Sequence, residues 1–124
     1  GDRSEEFLFR IVAVINEYKF YGATSTSAEG PITLLNPGAN ETVIIKSLHV
    51  TNKSGSNTPT ITITNNAFQV INTQTLVAAT SVEILTNPMV VQGDTVLSYT
   101  TAGTVTDGVD ITISYLNIKK EKVD

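Results

Sequence analysis

Residues 42–64 read TVIIKSLHVTNKSGSNTPTITIT. Two runs rich in Val, Ile and Thr flank a polar segment that carries Gly55 and Pro59. β-branched side chains favour the extended backbone, while Gly, Asn and Ser accept turn dihedrals, so the stretch reads as strand, turn, strand. In the second run Ile61 and Ile63 face one way and Thr60, Thr62 and Thr64 the other, giving one face to a core and one to water. In the first run the adjacent pair Ile44 and Ile45 breaks the alternation, as at a bulge or where a strand passes between sheets. The same break recurs at Leu116, after Val109, Ile111, Ile113 and Tyr115 have alternated with Asp110, Thr112 and Ser114.

Strand signals continue outward from this stretch. Runs at 32–35, 42–52, 60–65, 68–77, 81–85, 95–101 and 109–118 are separated by NPGAN, NKSGSNTP, NN, AAT, NPMVVQGD and TAGTVTDG. Each separator supplies residues suited to turns. The pattern predicts an all-β domain, an antiparallel β-sandwich or a barrel.

The chain has 124 residues, enough for one domain that buries roughly two-thirds of its unfolded surface. It contains no cysteine, so disulfides and thiolate metal sites are excluded. A net charge of -4 and a pI near 4.8 give no basic footprint for phosphates, which argues against nucleic acid and an anionic membrane as partners. The most apolar run, FLFRIVAVI at 7–15, is interrupted by Arg10 and falls short of the roughly 20 residues that a bilayer span needs. GDRSEEF at 1–7 opens with mixed and mainly acidic charge instead of a basic start, so no export signal is expected.

After Tyr21 the composition shifts to GATSTSAEGP, which predicts a boundary between an extended N-terminal arm, 1–21, and a main domain, 22–124. The arm is ambiguous in period. Phe7, Ile11, Val14, Ile15 and Tyr18 fit a helical stripe, whereas Phe7, Phe9, Ile11, Ala13 and Ile15 fit one face of a strand. Its β-branched and aromatic content, with no capping box ahead of it, favours the strand. Tyr18, Phe20 and Tyr21 are expected to pack against the sandwich edge, and KKEKVD at 119–124 to form a solvated end.

Candidates for chemistry are few. His49 is the lone histidine, has no acidic neighbour in sequence, and by simple alternation shares a face with Val43, Ile45, Ser47 and Thr51. A nucleophilic Ser47 would also need an orienting acid and an oxyanion hole, and no strand-to-helix elbow is evident. Asp94, Asp107 and Asp110 fit turn chemistry better than a calcium loop. Asn40 and Asn52 open N-glycosylation patterns that, without an export signal, read as chance. No Trp is present to stack on a sugar. The expectation is a protein that is not an enzyme, with no cofactor, no metal and no small-molecule ligand.

NPGANETVIIKSLHVTNKSGSNTPTITIT, followed by VEILTNP, GD at 93–94 and ISYLNI at 113–118, resembles small structural proteins of tailed bacteriophages, the marine and cyanophage type. The similarity covers 32–118. It implies a sandwich or jelly-roll-like fold and a place in the virion as a capsid decoration or cement protein, or in the tail or fibre apparatus. No catalytic residue is carried over. Partners would be other virion proteins, and the chain would self-associate, with a homotrimer as the family-level expectation. The arm holds more apolar area than one small sandwich edge covers, so Phe7, Phe9, Ile11, Val12, Val14, Ile15, Tyr18 and Phe20 are the candidate assembly interface.

Overall fold

The computed structural model describes residues 12–122. In chain order its strands are β1 (Val12–Ser25), β2 (Ile32–Leu35), β3 (Glu41–Asn52), β4 (Thr60–Asn65), β5 (Phe68–Thr75), β6 (Thr80–Glu83), β7 (Met89–Val91), β8 (Leu97–Ala102) and β9 (Val109–Lys122). They form two antiparallel sheets. One runs β1-β9-β3-β6, with β7 pairing the other half of β3; the second runs β2-β8-β4-β5. Counting β6 and β7 as one interrupted edge, this is the jelly-roll connectivity, in which the chain repeatedly crosses from one sheet to the other.

The core lies between the sheets and is built from their alternating inward residues. Val43, Ile45, Leu48, Val50, Val109, Ile111 and Ile113 come from the first sheet, and Ile61, Ile63, Leu97 and Tyr99 from the second. Each fully buried Ile, Leu or Val contributes roughly 1.5–3 kcal/mol relative to exposure. Polar groups inside are paired. Asn52, 1% exposed, donates through Nδ2 to the carbonyls of Asn57 at 2.8 Å and Leu76 at 3.1 Å, while its Oδ1 accepts the Ser54 N–H at 3.2 Å. One side chain thus fastens the β3–β4 loop to the end of β5. The same burial closes Asn52 to glycosylation in the folded chain.

Several expectations need correction. The break at Ile44 and Ile45 is not the bulge itself: the register slips between Ile45 and Ser47, leaving Lys46 as the extra residue. Val43 and Ile45 therefore face inward before it, and Leu48, Val50 and Asn52 after it. His49 consequently points to the outer face with Ser47 and Thr51, opposite to Val43 and Ile45. Leu116 marks no irregularity either. Pairing continues regularly, and Asn117, 7% exposed, takes the next inward position, its amide donating to Glu41 Oε2 at 3.0 Å. The segment at 89–91, expected in a turn, is β7, whose three residues between Pro88 and Gly93 are too few to show a period.

The boundary after Tyr21 falls inside a strand. β1 pairs with β9 without a slip from Val12↔Lys122 to Ser25↔Val109. Gly22 and Ala23 stay in the ladder because their backbones meet Thr112 and Ile111, and Ser25 is buried against the Thr101 hydroxyl at 2.9 Å. The described part of the arm, from Val12, is therefore the edge strand of the sheet and not a separate unit. Lys119 to Lys122 complete the same ladder, with Lys119, Lys120 and Glu121 exposed as expected of a solvated end.

Candidate functional site

The outer face of the β1-β9-β3 sheet can be read as rows of cross-strand partners, each row pointing away from the core. At one end the rows are polar: Thr24–Asp110–Thr51–Ser81, then Gly22–Thr112–His49–Glu83. Phe20–Ser114–Ser47 comes next, and then an apolar row, Tyr18–Leu116–Ile44–Val90, crosses the whole sheet. Asn16–Ile118–Thr42 follows. Aromatic and branched side chains directly opposite one another pack on a sheet face, so Tyr18, Leu116, Ile44 and Val90 form a continuous apolar band. Tyr18 is 80% exposed and Phe20 70%.

Both breaks of alternation in the sequence, Ile44 and Leu116, are direct partners within this band. Sequence reasoning noticed each and missed their meeting. Val90, in the unexpected β7, was missed altogether.

Of the candidate interface residues, Phe7, Phe9 and Ile11 lie outside the described residues, and Val12 is placed by its backbone in β1. Val14, Tyr18 and Phe20 stand on the outer face; Ile15 stands on the opposite face of the same strand. Tyr18, Phe20 and Tyr21 do not pack against the sandwich edge as expected. β1 lies beyond the reach of the second sheet over most of its length, which leaves Tyr21 40% exposed as well.

The polar half of the face gathers Ser47, His49 and Glu83. Glu83 Oε2 accepts the N–H of Leu48 at 2.8 Å and of Leu85 at 3.2 Å, and His49 Nε2 lies 3.5 Å from Oε1. Partial burial opposes its charge, but hydrogen bonds from the Ser47 side chain and the two amides, with His49 alongside, hold the Glu83 carboxyl below its ordinary value. The acid stands between the serine and the histidine. A nucleophile relay requires the imidazole there, so this is an anchored carboxylate joining β6 to β3.

Asp110 is likewise occupied, accepting the Thr24 hydroxyl at 2.7 Å with Lys53 Nζ at 3.2 Å. Asp94 and Asp107 occupy left-handed turn positions, with φ of 60° and 61°. No group of three or more potential metal ligands occurs among the described residues.

A second feature sits where the β4–β5 turn meets β7. Asn65, Asn66, Phe68, Val90, Gln92 and Thr95 line a shallow hollow of about 200 Å3, with Phe68 71% exposed at its rim. Nothing in the sequence patterning singled it out, since NN read only as a turn. Comparison with protein-family models finds no match for the chain, and comparison with curated proteins finds none either.

Proposed function

We propose that this chain is a structural protein of a tailed-phage virion, a capsid decoration or cement protein or another head-associated subunit, that works by protein–protein contact. The observation that carries the reading is the apolar band Tyr18–Leu116–Ile44–Val90, which crosses the outer face of one sheet with Tyr18 80% and Val90 49% exposed. An exposed contiguous apolar patch on a compact domain marks an interaction surface. The resemblance at 32–118 supplies the virion as its setting. Ile44 and Leu116, two of the four residues of the band, lie in stretches that resemble the phage pattern, 44–52 and 113–118; Tyr18 and Val90 come from β1 and β7.

Purified particles decide the matter. Mass spectrometry should find the chain at many copies per particle, and electron microscopy should locate its density on the head. Absence from purified particles rules the reading out; density on the tail or fibre moves the protein there.

The hollow favours one alternative, a carbohydrate- or receptor-binding module. Amides of Asn65, Asn66 and Gln92 beside the exposed Phe68 ring offer hydrogen bonds and a stacking face. Glycan binding that Phe68→Ala abolishes, in a protein missing from particles, would establish it.

A further inference from the structure

Among the described residues β1 is a long open edge. It is 14 residues long, contains no proline, carries Lys19 as its one described basic side chain, and pairs with β9 without a bulge. Natural edges are commonly kept short, kinked or heavily charged against pairing with another chain. The remaining edges of this protein follow that rule. β6 and β7 have four and three residues, β2 has four and a slip, and β5 has slips and a left-handed Thr73 with φ 51°.

We propose that β1 pairs antiparallel with β1 of a second copy, across a two-fold axis at Tyr18, joining the two five-stranded sheets into one. The inference is independent of the virion reading. Among the described residues no other edge matches β1 in length, so the contact joins β1 to itself, and a self-complementary contact has two-fold symmetry. That departs from the trimer implied by the resemblance, which would need β1 to meet a different surface.

The register follows from the side chains. A two-fold axis perpendicular to the sheet keeps both cores on the same side, so core-side residues of one β1 oppose core-side residues of the other. Centring on Glu17 or on Lys19 sets like charges against each other. Centring on Tyr18 sets each Glu17 against Lys19 of the second copy and each Ile15 against its Tyr21. Within one chain Glu17 and Lys19 already share that side, with Lys19 Nζ 3.9 Å from Glu17 Oε2.

The same register selects itself a second time on the outer face. It places Tyr18 against Tyr18 of the second copy, so the row Val90–Ile44–Leu116–Tyr18 continues straight into its twin. Area is adequate. At about 200 Å2 per aromatic side chain, Tyr18, Phe20 and Tyr21, 80%, 70% and 40% exposed, present roughly 400 Å2. Val14, Ile15 and the open backbone edge bring the surface toward the roughly 800 Å2 per partner of a standard interface.

Sedimentation velocity on the full chain at micromolar concentration should show a dimer. Glu17→Lys and Lys19→Glu should each weaken it by about tenfold or more, because both cross-copy pairs then carry like charges. Mixing the two variants should restore a one-to-one heterodimer, which loss of folding could not mimic; circular dichroism checks that each variant is folded. A monomeric or trimeric full chain, or single variants that dimerise as tightly as the parent, overturns the proposal. So does a monomer that becomes dimeric on removal of residues 1–11, since the edge is then occupied by the chain's own beginning.

Discussion

Replacing Asn52 by Asp exchanges one NH2 group for an oxygen at constant volume. In the folded protein that group donates to the carbonyls of Asn57 and Leu76, at 2.8 and 3.1 Å, and is 1% exposed. One buried and one part-buried acceptor lose their donor, at about 1–3 kcal/mol each, and an ionised carboxylate would face them with like partial charge. A loss of roughly 3–5 kcal/mol above neutral pH follows, a large share of the 5–15 kcal/mol typical of a whole domain. For a chain of this size it lowers Tm by about 15 °C. The penalty should shrink on acidification. Burial and the facing carbonyls favour the protonated form of the introduced carboxyl, so its folded-state pKa rises, and the variant binds more protons folded than unfolded. The deficit relative to the parent is then largest above that raised pKa and falls as pH drops through it. Thermal melts of variant and parent followed by circular dichroism at pH 8 and pH 5 test both statements. A variant within about 3 °C of the parent at pH 8 would show that Asn52 does not tie the loop to β5, and a deficit that grows at pH 5 would reverse the electrostatic argument.

Further outcomes follow from the same packing. Ile113→Ala, at a fully buried position, should cost about 2–5 kcal/mol in urea unfolding, through lost burial and the cavity left behind. Gly93→Ala places a Cβ 2.6 Å from the Gly38 carbonyl oxygen and 2.9 Å from those of Ala39 and Glu41, backbone atoms that cannot swing aside. It should therefore destabilise by about 1–3 kcal/mol, whereas Gly55→Ala, with nothing within 4 Å, should change stability by less than about 0.5 kcal/mol. Glu41, through Asn117 and the Gly38 amide, and Asp110, through Thr24 and Lys53, have lowered carboxyl pKa values, as does Glu83. Their stabilisation is complete above the ordinary values of 4.5 and 3.8 and is lost as pH falls through the lowered native ones, so Tm should drop below about pH 4. Glu83→Gln should flatten that drop.

The sandwich was legible because its core strands alternate cleanly: 32–35 and 60–65 coincide with β2 and β4, and Ile61, Ile63, Ile111 and Ile113 face inward as read. The jelly-roll order was not, since pairings such as β1 with β9 join residues nearly the whole chain apart and leave no local trace. The boundary after Tyr21 failed because Gly22 and Ala23 are poor strand formers held in place by the β9 ladder, a tertiary effect that propensity does not see. Of the candidate site, the aromatic residues of β1 were visible as excess apolar area. The rest of the band was hidden for a geometric reason. Ile44 and Leu116 lie 72 positions apart in the numbering, and only the β3–β9 register sets them side by side.

Lys46 has a consequence for how the gene could tolerate length changes. Because Ile45 opposes Tyr115 and Ser47 opposes the next residue, Ser114, Lys46 is surplus to the pairing count. Excising it would give β3 a regular ladder with every remaining side chain still facing as it does now, from Val43 through Asn52. Excising Thr51 or Ile44 instead would shift part of the strand by one position and turn core isoleucine, leucine or asparagine toward water. A single-codon deletion scan of 43–52 should therefore be permissive at 46 and 47 alone, the two residues that share the one place the ladder offers between Ile45 and Leu48.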